Sequence, residues 1–323
     1  MRGRLFGAHA RDLDDADQER AGQVLTADAR ASRYRCWTPS MDLRGTDVPE
    51  KSSAKHPTLS ELRAKAQPPE VRSRKNAEHW TAQLYLRHIS IYFTMLLVRT
   101  KISANGVTGL MIVAGWCIAF SLLIPGIWGA ILAVFFSQVQ MYIDCCDGEV
   151  ARWRGTSGAK GVFLDKVGHY TTEGLVAVAL GIRAVGEWNN LIDDPAGSYP
   201  LLLAGTVLAG LVLLNKALND MVHVSRAFNG LDKLADSKEA TALNPGVIST
   251  LKRIARFVPF HRIFHSVEMS LMALASSIIT AIAVSAGAEP LFGERWLVLI
   301  MAPLCLLSVI GHFMAIMASR RLS

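Results

Sequence analysis

The chain has 323 residues, 51% of them hydrophobic, with a mean hydropathy of +0.27 and a formal net charge of +7. That length suffices for one large or two modest domains, but the apolar residues fall in long blocks with short charged breaks, which argues against an ordinary soluble globule. The basic excess comes with no nucleic-acid recognition motif, which argues against a nucleic-acid partner, and five cysteines without paired spacing form neither a disulfide framework nor a zinc pattern.

Residues 1–57 mix acids, arginines, Gly and Pro without periodicity, the composition of a disordered cytoplasmic segment. The first ten residues contain no apolar core of signal-peptide length, so the first span is expected to act as the insertion signal. Thr58-Leu59-Ser60-Glu61 reads as a capping box that opens a short helix through Ala66, with Pro68 and Pro69 ending it. Residues 79–99 place Trp80, Leu84, Tyr85, Ile89, Tyr92, Phe93, Leu96 and Leu97 at helical spacing, interrupted by Arg87 and His88. An amphipathic helix in the membrane interface fits this pattern; the alternative is the core helix of a soluble domain.

Six spans follow, at about 107–123, 127–150, 162–185, 199–221, 264–286 and 296–317. The loops alternate in charge. Arg99 and Lys101, then Arg152, Arg154 and Lys160, then Arg226, Lys233, Lys252, Arg253, Arg256 and Arg262, then Arg320 and Arg321 mark one side; Glu187, Asp193, Asp194, Glu289 and Glu294 mark the other. By the positive-inside rule both termini are cytoplasmic, in a cytoplasmic membrane of bacterial type. The basic stretch 252–262 reads either as a pocket for a phosphate or as an attraction for anionic lipid heads. Arg226 and Arg256 are candidates for an acceptor pocket, and Asp220 and His223 are placed to pair with each other.

The acids are the informative part. Asp144 and Asp147 end the second span three residues apart, and Asp165 and His169 open the third span four apart, so each pair shares a helix face. The short connection makes the helices antiparallel neighbours, and the three carboxylates converge near the cytoplasmic surface. Acids at membrane depth are expected to be functional. Three carboxylates without a basic partner call for a hard divalent cation, and Mg²⁺ prefers carboxylates shared with substrate phosphates. Two ions about 4 Å apart suit displacement at a phosphoryl centre. Gly148 and Ala151 remove side-chain bulk, and Arg152 is placed to meet a diphosphate. Glu149 lies off this face and reads as a solvated or interfacial acid. Cys145 and Cys146 point about 100° apart and read as packing. Lys166 is either a phosphate contact or a solvated flank. Gly168, Gly174 and Gly181 permit close helix packing.

This stretch resembles the signature of the CDP-alcohol phosphotransferase (phosphatidyltransferase) family, Asp-x2-Asp-Gly-x2-Ala-Arg-x8-Gly-x3-Asp-x3-Asp. Asp144, Asp147, Gly148, Ala151, Arg152, Gly161 and Asp165 stand at the required spacings, seven of eight positions over 26 residues; the eighth is His169 where the family has Asp. A second stretch, Ser103-Ala104-Asn105-Gly106-Val107-Thr108, is similar to the family's Ser-Pro-Asn-x-x-Thr lead-in to the first span, with Ala104 in place of Pro. The resemblance covers about residues 79–320. It implies that Asp144, Asp147 and Asp165 hold two Mg²⁺ or Mn²⁺ ions, with His169 as a further ligand or as the general base in place of Asp. It implies a CDP site lined by Gly148, Ala151, Arg152 and Gly161, with Asn105 and Thr108 beside it, and a homodimer. The other reading of His169 is a weakened or inactive site.

The expectation is therefore an all-α integral membrane protein of six transmembrane helices preceded by an amphipathic interfacial helix. It transfers a phosphatidyl or other phosphoryl-linked group from a CDP-activated donor to an alcohol, releasing CMP, in phospholipid biosynthesis. CDP-diacylglycerol is the expected donor, and inositol phosphate and glycerol phosphate are the acceptors to try first. Two alternatives stand beside it: a soluble CDP-alcohol donating to a lipid alcohol, and a cation transporter or non-enzymatic metal-binding membrane protein.

Overall fold

A computed structural model describes residues 57–72, 79–232 and 263–322. The expected disordered segment 1–57 lies outside the described residues but for Pro57, as do the basic residues 252–262 with Arg256. Helix α1 (Leu59–Ala66) opens with the expected capping box: the Thr58 hydroxyl accepts the Glu61 N–H at 3.3 Å, and the Glu61 carboxylate accepts the Thr58 N–H at 2.8 Å. Pro69 does not stop helical structure. It begins the four-residue turn α2 (Pro69–Arg72), because proline at the first helical position gives up an N–H that has no partner there anyway.

A π-helical turn (Ala82–Leu86) runs into α3 (Arg87–Val98). Its apolar Ile89, Tyr92 and Leu96 are exposed, while the polar Ser90 and Thr94 are fully buried. Ile91 and Leu97 are buried beside them, so an exposed apolar stripe lies opposite a mixed inner face, a pattern that fits a helix at the membrane interface. The inward polar face has a specific partner. Glu149 is fully buried and accepts from Ser90 Oγ at 2.6 Å, Thr94 Oγ1 at 2.7 Å and Gln67 Nε2 at 2.8 Å, with Arg87 Nη1 at 3.7 Å. The expectation of a solvated acid at 149 is thus corrected. Being one residue off the aspartate face turns Glu149 toward α1 and α3, where three neutral donors and a guanidinium replace its water.

Six long helices follow: α4 (Ala104–Leu122), α5 (Gly126–Arg154), α6 (Ala159–Val185), α8 (Pro195–Phe228), α9 (Ser266–Ser285) and α10 (Phe292–Met317), with the short α7 (Asn190–Asp193) before α8. There is no strand among the described residues. Five of the six are long and apolar enough to cross a membrane. Helix α6 has the length, 27 residues or about 40 Å, but Lys160, Asp165, Lys166, His169, Glu173 and Arg183 lower its hydropathy. It packs between α4 and α8, with α9 and α10 also against it. The protein is an all-α integral membrane protein. Its core is formed by Ile118, Leu122, Val176, Leu180, Leu208, Met269 and Val298, while Phe120, Phe135, Leu203, Ile282 and Leu307 face outward as a lipid-contacting surface.

The helices cross closely where side chains are missing. A Cβ on Gly181 of α6 would lie 2.9 Å from the Cα of Gly205 on α8, and one on Gly168 would lie 2.7 Å from Ile112 Cγ1 on α4. At the end of the bundle remote from the acids, Arg183 donates to the carbonyls of Leu122 (3.1 Å), Ile124 (2.9 Å) and Gly126 (2.6 Å) and to Ser277 Oγ (2.9 Å), and faces Glu294 at 3.6 Å. These carbonyls lie at the α4–α5 turn, where the last carbonyls of α4 have no helical donor.

Candidate active site

Helix α5 runs past the expected 150 to Arg154 and ends on Gly155, whose φ of 64° is the left-handed cap that only glycine adopts at no steric cost. Only three residues separate Gly155 from the start of α6, so the two helices are antiparallel, and the last turns of α5 face the first turns of α6. His169 Nε2 lies 3.2 Å from Asp144 Oδ1 across this seam and 3.4 Å from Asp165 Oδ1 on its own helix. One ligand atom from each of Asp144, Asp165 and His169 lies within 4.8 Å of the other two. The side chains are 25%, 38% and 16% exposed, so the cluster is sheltered yet open to a ligand. Two carboxylates and an imidazole form a donor set that fits a divalent metal ion.

Asp147 is not one of the three. Its carboxylate accepts from Thr108 Oγ1 at 2.7 Å, a bond from the first turns of α4. Asp147 stands beside the trio of Asp144, Asp165 and His169, oriented by a hydroxyl. Asn105 is close as well: its Oδ1 lies 3.4 Å from the position a Cβ would take on Gly161. Ser103 caps α4 by accepting the Gly106 N–H at 3.1 Å, which fixes Asn105 and Thr108 on the first turns.

The space at Gly148 is taken by Arg152, whose Nη1 lies 3.1 Å from a Cβ built there. Arg152 Nε donates to the Ala66 carbonyl at 2.6 Å, so the end of α1 is docked on the motif. Ala151 packs against the apolar cluster of Leu97, Val107, Cys146 and Val150. Cys145 and Cys146 are both buried, in separate clusters, in keeping with packing. Lys166 pairs with Asp220 at 2.9 Å and Tyr170 Oη donates to the same carboxylate at 3.0 Å, so the partners of Asp220 include α6. Arg226 donates to the carbonyls of Asp232 (2.9 Å) and Arg321 (2.8 Å), about 9 Å along α8 from Asp220.

The profile of the CDP-alcohol phosphatidyltransferase family matches residues 101–307. The chain belongs to the CDP-alcohol phosphatidyltransferase family. The matched stretch contains the lead-in at Asn105 and Thr108 and all eight motif positions. Membership makes the protein a membrane transferase that moves a phosphoryl-linked group from a CDP-alcohol to an alcohol, in a family generally dependent on divalent metal. No curated protein matches the chain.

Beside the motif stands a group of ionisable residues that the sequence reading passed over. Glu173, buried one turn beyond His169, pairs with Lys216 of α8 and lies 3.7 Å from His265 Nε2. The His265 ring is 5.9 Å from that of His169 and 4.6 Å from that of His79, stacked on it. Glu173 continues the i, i+4 row of Asp165 and His169, and Lys216 is a cation inside an apolar span; either was a usable signal.

Proposed function

We propose that the protein transfers the phosphatidyl group of CDP-diacylglycerol to a phosphorylated polyol, inositol phosphate or glycerol phosphate, releasing CMP. The observation that carries this reading is the meeting of Asp144, Asp165 and His169 within 4.8 Å, in register with the family motif. The outward apolar face of α3, with Ile89, Tyr92 and Leu96, supports a donor whose acyl chains stay in the lipid.

Asp144, Asp147 and Asp165 are assigned as holders of two Mg²⁺ or Mn²⁺ ions, which when bound neutralise the donor's diphosphate. Thr108 orients Asp147. Gly148, Ala151, Arg152 and Gly161 line the cytidine diphosphate, with Asn105 at its edge. Arg152, over Gly148, is assigned to the diphosphate. Arg226 and Arg256 are assigned to the acceptor's phosphate. His169 serves as general base: as the acceptor hydroxyl oxygen forms its bond to the phosphatidyl phosphorus, the hydroxyl proton passes to the His169 imidazole. The bridging P–O bond breaks with its electron pair, and CMP departs. An imidazole with a free pKa near 6.5 is competent for this at neutral pH. The site is assigned to the cytoplasmic side, with both termini.

The test is CMP release by purified protein given CDP-diacylglycerol, Mg²⁺ or Mn²⁺ and a panel of inositol, inositol phosphate, glycerol phosphate and serine. Release that requires an acceptor, vanishes with EDTA and is absent in Asp165→Ala establishes the reaction. CMP from none of these acceptors, alongside metal-dependent CDP binding, rejects this donor–acceptor pair; absence of CDP binding rejects the catalytic reading.

A further inference from the structure

A second cluster adjoins the motif residues, where the segment ahead of the π turn meets the N-terminus of α9 and the His265 ring lies 5.9 Å from that of His169. His79 Nε2 lies 2.9 and 3.0 Å from the two carboxylate oxygens of Glu268, and His265 Nδ1 lies 3.7 Å from Glu268 Oε2. One ligand atom from each of the three lies within 4.8 Å of the others. The side chains are 7%, 20% and 18% exposed, so all three are sheltered from solvent.

An ion pair explains one imidazole against one carboxylate. The second imidazole, His265, caps α9 by accepting the Val267 N–H at Nδ1 (3.4 Å), and it also stacks on His79 with the same nitrogen toward Glu268. Two neutral imidazoles and a carboxylate converging in this way form a donor set that a cation can bridge. Each of the three groups also has a partner on its outer side. His79 Nδ1 is 2.7 Å from Thr81 Oγ1, Glu268 Oε1 accepts from Trp80 Nε1 at 2.7 Å, and His265 turns its Nε2 to Glu173 at 3.7 Å. Imidazole ligands are held in this way, with the far nitrogen on a hydroxyl or carboxylate that fixes the tautomer and aims the near one.

We propose that His79, His265 and Glu268 form a binding site for a zinc-class transition-metal ion, which clamps the interfacial segment to the start of α9. Two imidazoles and one carboxylate are a zinc donor set, and imidazole discriminates against Mg²⁺. Metal–ligand bonds of about 2 Å require the ligand atoms to close in by about an ångström, within reach of side-chain rotation. Water completes the coordination. None of the three ligands belongs to the family motif; His265 also lies within ligand distance of His169 and Glu173, and dependence on His79 is what separates the two sets.

The experiment is Co²⁺ uptake by purified full-length protein in excess Mg²⁺, read by visible d–d absorption and by metal analysis after dialysis, on wild type, Asp165→Ala, His79→Gln and Trp80→Phe. The expected result is about one tetrahedral Co²⁺ per chain, displaced by Zn²⁺, retained in Asp165→Ala and lost in His79→Gln. Trp80→Phe, which keeps every ligand, weakens binding about 10–100-fold. Wild type that takes up no Mg²⁺-resistant Co²⁺, uptake unchanged in His79→Gln, or uptake lost in Asp165→Ala overturns the proposal. If His79→Gln does not fold, Trp80→Phe decides it, since unchanged Co²⁺ affinity in that variant overturns the proposal.

Discussion

The imidazole of His169 on α6 meets the carboxylate of Asp144 on α5 at 3.2 Å, across the seam between two antiparallel helices. A carboxylate in place of His169 would face two others at that distance. The imidazole instead offers a neutral or positive group to both.

His169→Ala is expected to lower CMP release about 10²–10⁴-fold, the range for a lost general base. His169→Asp restores a proton acceptor and is expected to recover most of the rate. Equal loss in both variants would assign His169 to holding the carboxylates rather than to proton transfer.

Thr108→Val removes the donor to Asp147 while keeping side-chain volume. The concentration of Mg²⁺ or Mn²⁺ needed for half-activation should rise about 10–100-fold, as for other partners that orient ligands. An unchanged activation curve would detach Asp147 from metal binding.

Glu149→Ala removes the carboxylate that Ser90, Thr94, Gln67 and Arg87 share and leaves a void in its place. Breaking such a buried pair from one side costs about 3–5 kcal/mol. Thermal unfolding in detergent should show a large drop for Ala and a smaller one for Gln, which keeps one acceptor oxygen. If the Ala variant unfolds with wild type, the buried network is not a determinant of stability.

Gly181→Leu forces a side chain into the α6–α8 crossing, where even a Cβ would lie 2.9 Å from Gly205 Cα. Overpacking costs about 1–3 kcal/mol or more when backbone is the obstacle. The variant should be poorly recovered as monodisperse protein, whereas Gly210→Leu on α8, with nothing near a Cβ, should behave as wild type.

EDTA treatment followed by stepwise return of metal should restore transfer with Mg²⁺ or Mn²⁺ and not with Ca²⁺, which takes more oxygen ligands at longer range than this small donor set offers. Full recovery with Ca²⁺ would contradict the assignment of a Mg²⁺-type site.

Covalent spacing alone determined much of this protein. Length and hydropathy of the apolar blocks locate all six long helices, since a span must satisfy its backbone internally and present apolar side chains over about 30 Å. The three- and four-residue spacings place Asp144 with Asp147 and Asp165 with His169, because neighbours on one helix are set by its pitch. The capping box at Thr58 follows from four consecutive residues. What lies between helices was decided only in three dimensions. Glu149 reads as a solvated acid until α1 and α3 fold over it. The bond from Arg152 to the Ala66 carbonyl, which docks α1 on the motif, has no counterpart in the spacing of the motif. His79, His265 and Glu268 have no shared spacing, since 186 positions separate the first two in the chain. Helical periodicity reports which residues share a face. Which faces meet depends on the relative rotation and tilt of separate helices, set by the packing of every residue between them, and no local pattern carries that information.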